Sequence, residues 1–187
     1  MSWSDVAGRA GVVALALSAG GCFTPLYSES AHPGLVEDMQ AIDVAPINPP
    51  GRGKTSAIGL DYAEDRTDRV GHYLRDDLIF ALNGTGTPRA PKYRLNVSTV
   101  ESTATPTVQS QLSAADAATV TITAKYSLTP VAGGAPILSD VAASSVVYDL
   151  TAQRYANLRA SRDAEIRLAK SLADEMELRI AAALANR

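Results

Sequence analysis

Of the side chains here that could do chemistry, one stands in a context that names the chemistry. The single cysteine, Cys22, ends Ala19-Gly20-Gly21-Cys22 and precedes Phe23-Thr24-Pro25-Leu26-Tyr27. In front of it, Gly11 to Ala19 (GVVALALSA) is an apolar run of about nine residues, the length of a signal-peptide core. A bilayer span needs roughly 20. Gly20 and Gly21 leave an open backbone for a peptidase, and small residues followed by cysteine are how bacterial lipoprotein signals end. The expected chemistry is removal of residues 1–21, diacylation at Cys22 and retention on a membrane, at about 0.8 kcal/mol per buried methylene. Two features depart from the pattern. Ala19 stands where Leu is usual, and MSWSDVAGRA sets Arg9 against Asp5 where several positive charges are usual. An ordinary buried thiol is the alternative, but it leaves the apolar run unexplained.

The remaining reactive side chains assemble into nothing. His32 and His72 are the two histidines, one in the segment after Cys22 and one in a helical pattern, which is little material for a metal site. A serine triad would need one of them, and no G-x-S-x-G elbow is present. Gly53-Lys54-Thr55 resembles the end of a phosphate loop, but Asn48 stands where that motif requires glycine. Asn96-Val97-Ser98 matches a glycosylation acceptor but reads as sheet. Asp76-Asp77 and Asp174-Glu175 lie on polar helix faces, where a solvated charge is the expected role of a carboxylate. The sequence therefore points away from an enzyme, with no cofactor and no metal. The net charge of -3 also argues against a nucleic-acid partner. One cysteine permits no disulfide within the chain.

These residues must be carried by a scaffold, and the chain beyond position 21 is long enough for one domain at about 100–200 residues each. With 46% apolar and 20% charged residues the composition is that of an ordinary globular fold. Residues 22–35, broken by Pro25 and Pro33-Gly34, read as a tether, and 36–187 as a single domain. A strand is expected at Met39 to Ala45, ended by Pro46, with a Gly/Pro loop over Pro49 to Gly59. Asp61 and Glu64 have capping-box spacing. Val70, Tyr73, Leu74, Leu78, Ala81 and Leu82 then predict a helix over Ala63 to Leu82, stopped by Asn83-Gly84.

Three strands come next. Tyr93, Leu95 and Val97 alternate with Arg94, Asn96 and Ser98; Val120, Ile122, Ala124, Tyr126 and Leu128 alternate with Thr121, Thr123, Lys125, Ser127 and Thr129. A hairpin through Gly133-Gly134 leads to a strand over Ile137 to Leu150, with Val146, Tyr148 and Leu150 inward. Leu158, Ile166, Ala169, Leu172, Ala173, Met176, Ile180, Ala183 and Leu184 trace a helical stripe expected to close the layer. Asp163 with Arg167, and Glu175 with Arg179, have the favourable four-residue order. The expected class is α+β: a two-layer sandwich of a four-stranded, mostly antiparallel sheet with two helices on one face, in the order β-α-β-β-β-α.

Several segments together resemble the LPS-assembly lipoprotein LptE family in its alphaproteobacterial form. Cys22-Phe23-Thr24-Pro25-Leu26-Tyr27 is similar to that family's mature start, C-G-F-x-P-L-Y, with the glycine displaced to position 21. Asp68-Arg69 with Leu74-Arg75-Asp76-Asp77-Leu78 is similar to D-R-x-G-x-x-L-R-x-x-L. Tyr155-Ala156-Asn157-Leu158-Arg159-Ala160-Ser161-Arg162-Asp163-Ala164 resembles Y-A-x-L-x-A-x-R-D-A, and Leu172 to Ile180 resembles L-A-D-x-I-x-L-R-L. Gly51 to Asp61 and Thr103 to Asp116 match nothing in that pattern.

The resemblance implies a non-enzymatic outer-membrane lipoprotein facing the periplasm. Its partners would be the large LPS-translocating β-barrel (LptD-like), whose lumen it plugs and whose assembly it aids, and lipopolysaccharide itself. Phosphates and sugar acids of that lipid would be met by basic residues, for which Arg52, Lys54, Arg89, Lys92, Arg94 and Lys125 are candidates. The plain alternative for each is a surface charge that keeps the protein soluble. Two rival functions are an auxiliary lipoprotein of an ABC-type envelope lipid-trafficking system, which also explains Cys22, and a small envelope hydrolase.

Overall fold

The computed structural model of the protein describes residues 27, 32–47, 61–84, 89–105 and 117–187, with the backbone alone over 61–67. In chain order the elements are α1 (Leu35–Gln40), β1 (Ile42–Val44), α2 (Asp61–Asn83), β2 (Tyr93–Ala104), β3 (Ala117–Pro130), β4 (Leu138–Asp149) and α3 (Arg154–Ala185). They belong to one compact unit, Leu35–Arg187.

The core arises from the strand alternation. Tyr93, Leu95, Val97 and Thr99 of β2 are buried, as are Val120, Ile122, Ala124, Tyr126 and Leu128 of β3. Antiparallel pairing sets Leu95 opposite Leu128 and Val97 opposite Tyr126, so both sets share one face. β4 continues the sheet antiparallel, with Ala142 opposite Ala124. The sheet order is β1-β2-β3-β4, and β1 lies parallel to β2 with Ile42 opposite Tyr93. A parallel pair needs a crossover, and α2 lies in it. α2 packs on β1 and β2, α3 on β3 and β4, and the two helices pack on each other. Val70, Leu74, Leu78 and Leu82 from α2 meet Leu168, Leu172, Met176 and Ile180 from α3 in this layer, and all are buried. Full burial of each such side chain is worth about 1.5–3 kcal/mol.

Glycine sets two chain reversals. Gly84, at φ +61°, donates its amide to Phe80 O at 2.9 Å, ending α2 in the left-handed cap that glycine adopts without cost. Gly133 and Gly134, at φ +92° and +124°, turn β3 into β4. This is the hairpin read from the sequence.

The α+β class, the mostly antiparallel sheet and the order of its elements are as the sequence predicts. The difference lies at Met39 to Ala45, expected as one strand. The chain is helical over Leu35–Gln40, and the strand is only Ile42–Val44, which adds a third helix. Leu35 and Met39 are one helical turn apart and both buried. Met39 thus satisfies a helical period as well as the alternation assigned to it. The inward strand residues are Ile42 and Val44, with Asp43 outward. β4 keeps the expected phase, but its inward side chains at Val146 and Tyr148 are only half-buried. Leu158 and Ile166, expected in the core stripe of α3, are 63% and 44% exposed, and the buried residues of this helix begin at Ser161. Periodicity aligns a side chain with a face, but burial requires an opposing layer. The capping pair Asp61 and Glu64, the loop 49–59 and most of 103–116 lie outside the described side chains.

Candidate functional site

The helices cover one face of the sheet, and among the described residues no element covers the other. That open face presents Arg94, Asn96 and Ser98 from β2, Thr121, Thr123, Lys125, Ser127 and Thr129 from β3, and Ser139, Val141, Ala143, Ser145 and Val147 from β4. It is a hydroxyl-rich surface with little charge. A shallow depression of about 400 Å³ crosses it, with Asn96, Ser98, Lys125, Ser127, Ser139 and Val141 among its lining residues. Register explains the grouping: Ser98, Lys125 and Val141 lie in one row across three strands, Asn96, Ser127 and Ser139 in another. Lys125 is exposed there, and among the described residues it has no ion pair.

Three of the basic candidates, Arg94 of the open face among them, gather at the start of β2 beside α1 and β1. Arg89 Nη1 lies 3.3 Å from Glu37 Oε1, Lys92 Nζ 2.6 Å from Asp38 Oδ1, and Arg94 Nε 3.2 Å from Asp43 Oδ2. The hydrogen bond to Asp38 pushes the Lys92 ammonium pKa above its ordinary value. Each of these cations is therefore already neutralised, in pairs exposed enough to exchange partners easily. Cys22, Arg52 and Lys54 lie outside the described residues.

A second polar assembly ties α3 to β4. Arg179 Nη1 donates to Asp140 Oδ2 at 2.6 Å and to Val141 O at 3.2 Å, while its Nη2 meets Glu175. Tyr126 Oη donates to Asp140 Oδ2 at 3.4 Å. The Val141 amide, then Arg179, hold the Asp140 carboxyl below its usual range. Burial, then the charge of Asp140, push the Tyr126 hydroxyl up to about 12. A third assembly is buried: Glu165, at 0% exposure, accepts from Arg69 Nη2 at 3.4 Å and from Ser161 Oγ at 3.4 Å. No sequence reading assigned a role to Glu165. The signal was present, since Glu165 falls in the helical phase of Leu168 and Leu172, and an acid in an apolar stripe needs a cation. Among the described residues no cluster of acids, histidines and cysteines could hold a metal ion, and no helix is long and apolar enough to cross a membrane.

Residues 55–180, more than half the chain, match the family model described as LptE, lipopolysaccharide-assembly. The chain belongs to the LptE family. A candidate lipoprotein from Caulobacter crescentus CB15 agrees with it in fold, at 23% identity and a TM-score of 0.56, with 82% of this chain and 98% of that one covered. A minor lipoprotein from Acinetobacter baumannii is 12% identical, with a TM-score of 0.42 over 75% of this chain and 88% of that one. No curated protein sequence matches the chain. LptE-family membership makes this a non-enzymatic lipopolysaccharide-assembly lipoprotein, associated with a membrane and with the lipopolysaccharide transport machinery.

The LptE-like motifs divide by role in the structure. Arg69, from the Asp68-Arg69 pair, is the cation that compensates Glu165. Arg179, from the last motif, fastens α3 to β4. Tyr155, Leu158, Arg159 and Arg162, from the motif that opens α3, are exposed, and among the described residues none of them makes a hydrogen bond or ion pair to another element.

Proposed function

We propose that this chain is an outer-membrane lipoprotein, cleaved after residue 21 and held by acyl chains on Cys22. Residues 22–35 serve as the tether and 36–187 as the body that plugs the LPS-translocating β-barrel, faces the periplasm through it and helps that barrel assemble. The observation that carries the reading is the family match over residues 55–180, and the open face of the sheet is consistent with it. A barrel lumen is polar and wet, and a plug seated there needs an exterior of hydroxyls and amides around an ordinary core. Serine, threonine and asparagine across β2, β3 and β4 supply that exterior. Of the four described among the six basic residues proposed to meet lipopolysaccharide, Lys125 has its charge uncommitted. Arg89, Lys92 and Arg94 would exchange Glu37, Asp38 and Asp43 for phosphate.

Affinity capture from solubilised outer membranes tests the reading. Co-purification of a large outer-membrane barrel is expected; recovery of inner-membrane transport components alone overturns it in favour of a lipid-trafficking accessory. In parallel, Cys22→Ala should abolish labelling by a radioactive fatty acid. A variant that still labels and stays membrane-bound refutes the anchor.

A further inference from the structure

The first four turns of α3 display charge and apolar surface that no other described element covers. Tyr155 is 70% exposed, Leu158 63% and Ile166 44%, and Arg159 and Arg162 are exposed among them. At 3.6 residues per turn, Leu158, Arg162, Tyr155, Ile166 and Arg159 succeed one another around the helix within an arc of about 100°. They form one stripe, with basic and apolar groups interleaved.

The arginines of this region lack acids. Among the described residues no carboxylate pairs with Arg154, Arg159 or Arg162, and Arg159 Nη1 donates to Tyr155 Oη at 3.4 Å. Asp163 is taken by Arg167 at 2.8 Å, and Glu165 points inward to Arg69. The first turn holds no acidic residue, so Arg154 stands at the positive end of the helix dipole, where a negative charge is favoured. The start of β2 has a comparable set of cations with each one matched to a carboxylate. The stripe on α3 is complementary to an anion that the described residues do not provide.

We propose that this stripe is a binding site for the phosphorylated headgroup of lipopolysaccharide, an assignment that rests on the lipopolysaccharide-handling reading above. Arg159 and Arg162 are three residues apart, which places their Cβ atoms about 5–6 Å from each other on the helix surface. Two guanidinium forks at that spacing can take oxygens of one phosphate or of two close ones, in the bidentate geometry that distinguishes Arg from Lys. Free phosphate would leave Tyr155, Leu158 and Ile166 without a role. An amphiphile uses both parts, with the charged group on the arginines and its saccharide and first methylenes along the aromatic and aliphatic side chains.

The test uses the full lipidated chain in detergent, with purified lipopolysaccharide as the probe. Arg159→Gln with Arg162→Gln should lower its binding at least tenfold, and Tyr155→Ala with Leu158→Ala about as much. All four side chains are exposed, so the thermal midpoint should not move. Lys170→Gln, which removes an exposed cation already paired with Asp174 at 3.3 Å, is expected to bind as the parent does. Loss in Lys125→Gln with none in the α3 variants overturns the site. Equal binding and equal loss with phosphatidylglycerol vesicles, or full displacement by inorganic phosphate, overturns the assignment to lipopolysaccharide. A parent chain that captures the barrel yet binds no lipopolysaccharide sinks this inference and leaves the plug reading standing. Binding through α3 without barrel capture does the reverse.

Discussion

The two halves of α3 share one helical period and meet different fates. From Leu168 to Leu184 the inward residues are buried under the sheet, and Arg179 is committed to Asp140, Glu175 and the Val141 carbonyl. From Arg154 to Arg162 the apolar Tyr155 and Leu158 are exposed, and the arginines have no acidic partner among the described residues. Glu165 marks the boundary, fully buried and held by Arg69. The difference shows that one apolar stripe can be core at one end and exposed surface at the other. What separates them is whether a second layer and a counter-charge are opposite.

That contrast can be broken by stability measurements. Leu172→Ala, which opens a cavity beneath the sheet, should cost about 2–5 kcal/mol, whereas Leu158→Ala should stay within about 0.5 kcal/mol. Urea unfolding of both variants checks this, and equal losses would show that the first turns of α3 are core after all. At the boundary, Arg69→Met leaves Glu165 buried without this cation and should cost about 3 kcal/mol. Adding Glu165→Met should restore most of it, and a double variant as unstable as the single one would remove Glu165 from the account.

Smaller effects sharpen the far end of the helix. The Tyr126 hydroxyl titrates higher in the folded chain, at about 12 against an ordinary 10.0, chiefly because it is buried. Its contribution is fully present below the unfolded value and is lost as pH rises from about 10 to 12. Tyr126→Phe should therefore flatten the alkaline fall of the thermal midpoint in that window. Asp140 has the opposite sign. Its carboxyl is held below the ordinary 3.8 by the Val141 amide and Arg179, so its contribution is present above that value and is lost as pH falls through the folded one. Asp140→Asn should give a shallower acid limb, the smallest change of the set, and an unchanged limb would mean that Arg179 does not anchor α3 through this carboxylate.

Much of the scaffold was legible because it is local. Strict alternation in Val120 to Leu128 named the buried face of β3, and the three- and four-residue steps from Val70 to Leu82, with Gly84 after them, named α2 and its end. α1 was not legible, since six residues with Leu35 and Met39 inward carry too short a period to outweigh an apparent alternation. The candidate site was legible only as residue types. Arg89, Lys92 and Arg94 read as available cations, but their acids, Glu37, Asp38 and Asp43, stand about fifty positions earlier, and strand pairing with α1 alongside brings them together. Glu165 was readable as an anomaly in a stripe, though its partner on another helix was not.

The sequence by itself determined the elements of the sheet, the faces of its central strands, the long helices and the kinship to lipopolysaccharide-assembly lipoproteins, because periodicity and motif order are properties of neighbouring residues. Only the tertiary structure decided which cations are spent and which remain, and which end of α3 is core. Burial and charge pairing act through space, over a few ångströms, between residues that the chain holds far apart in order.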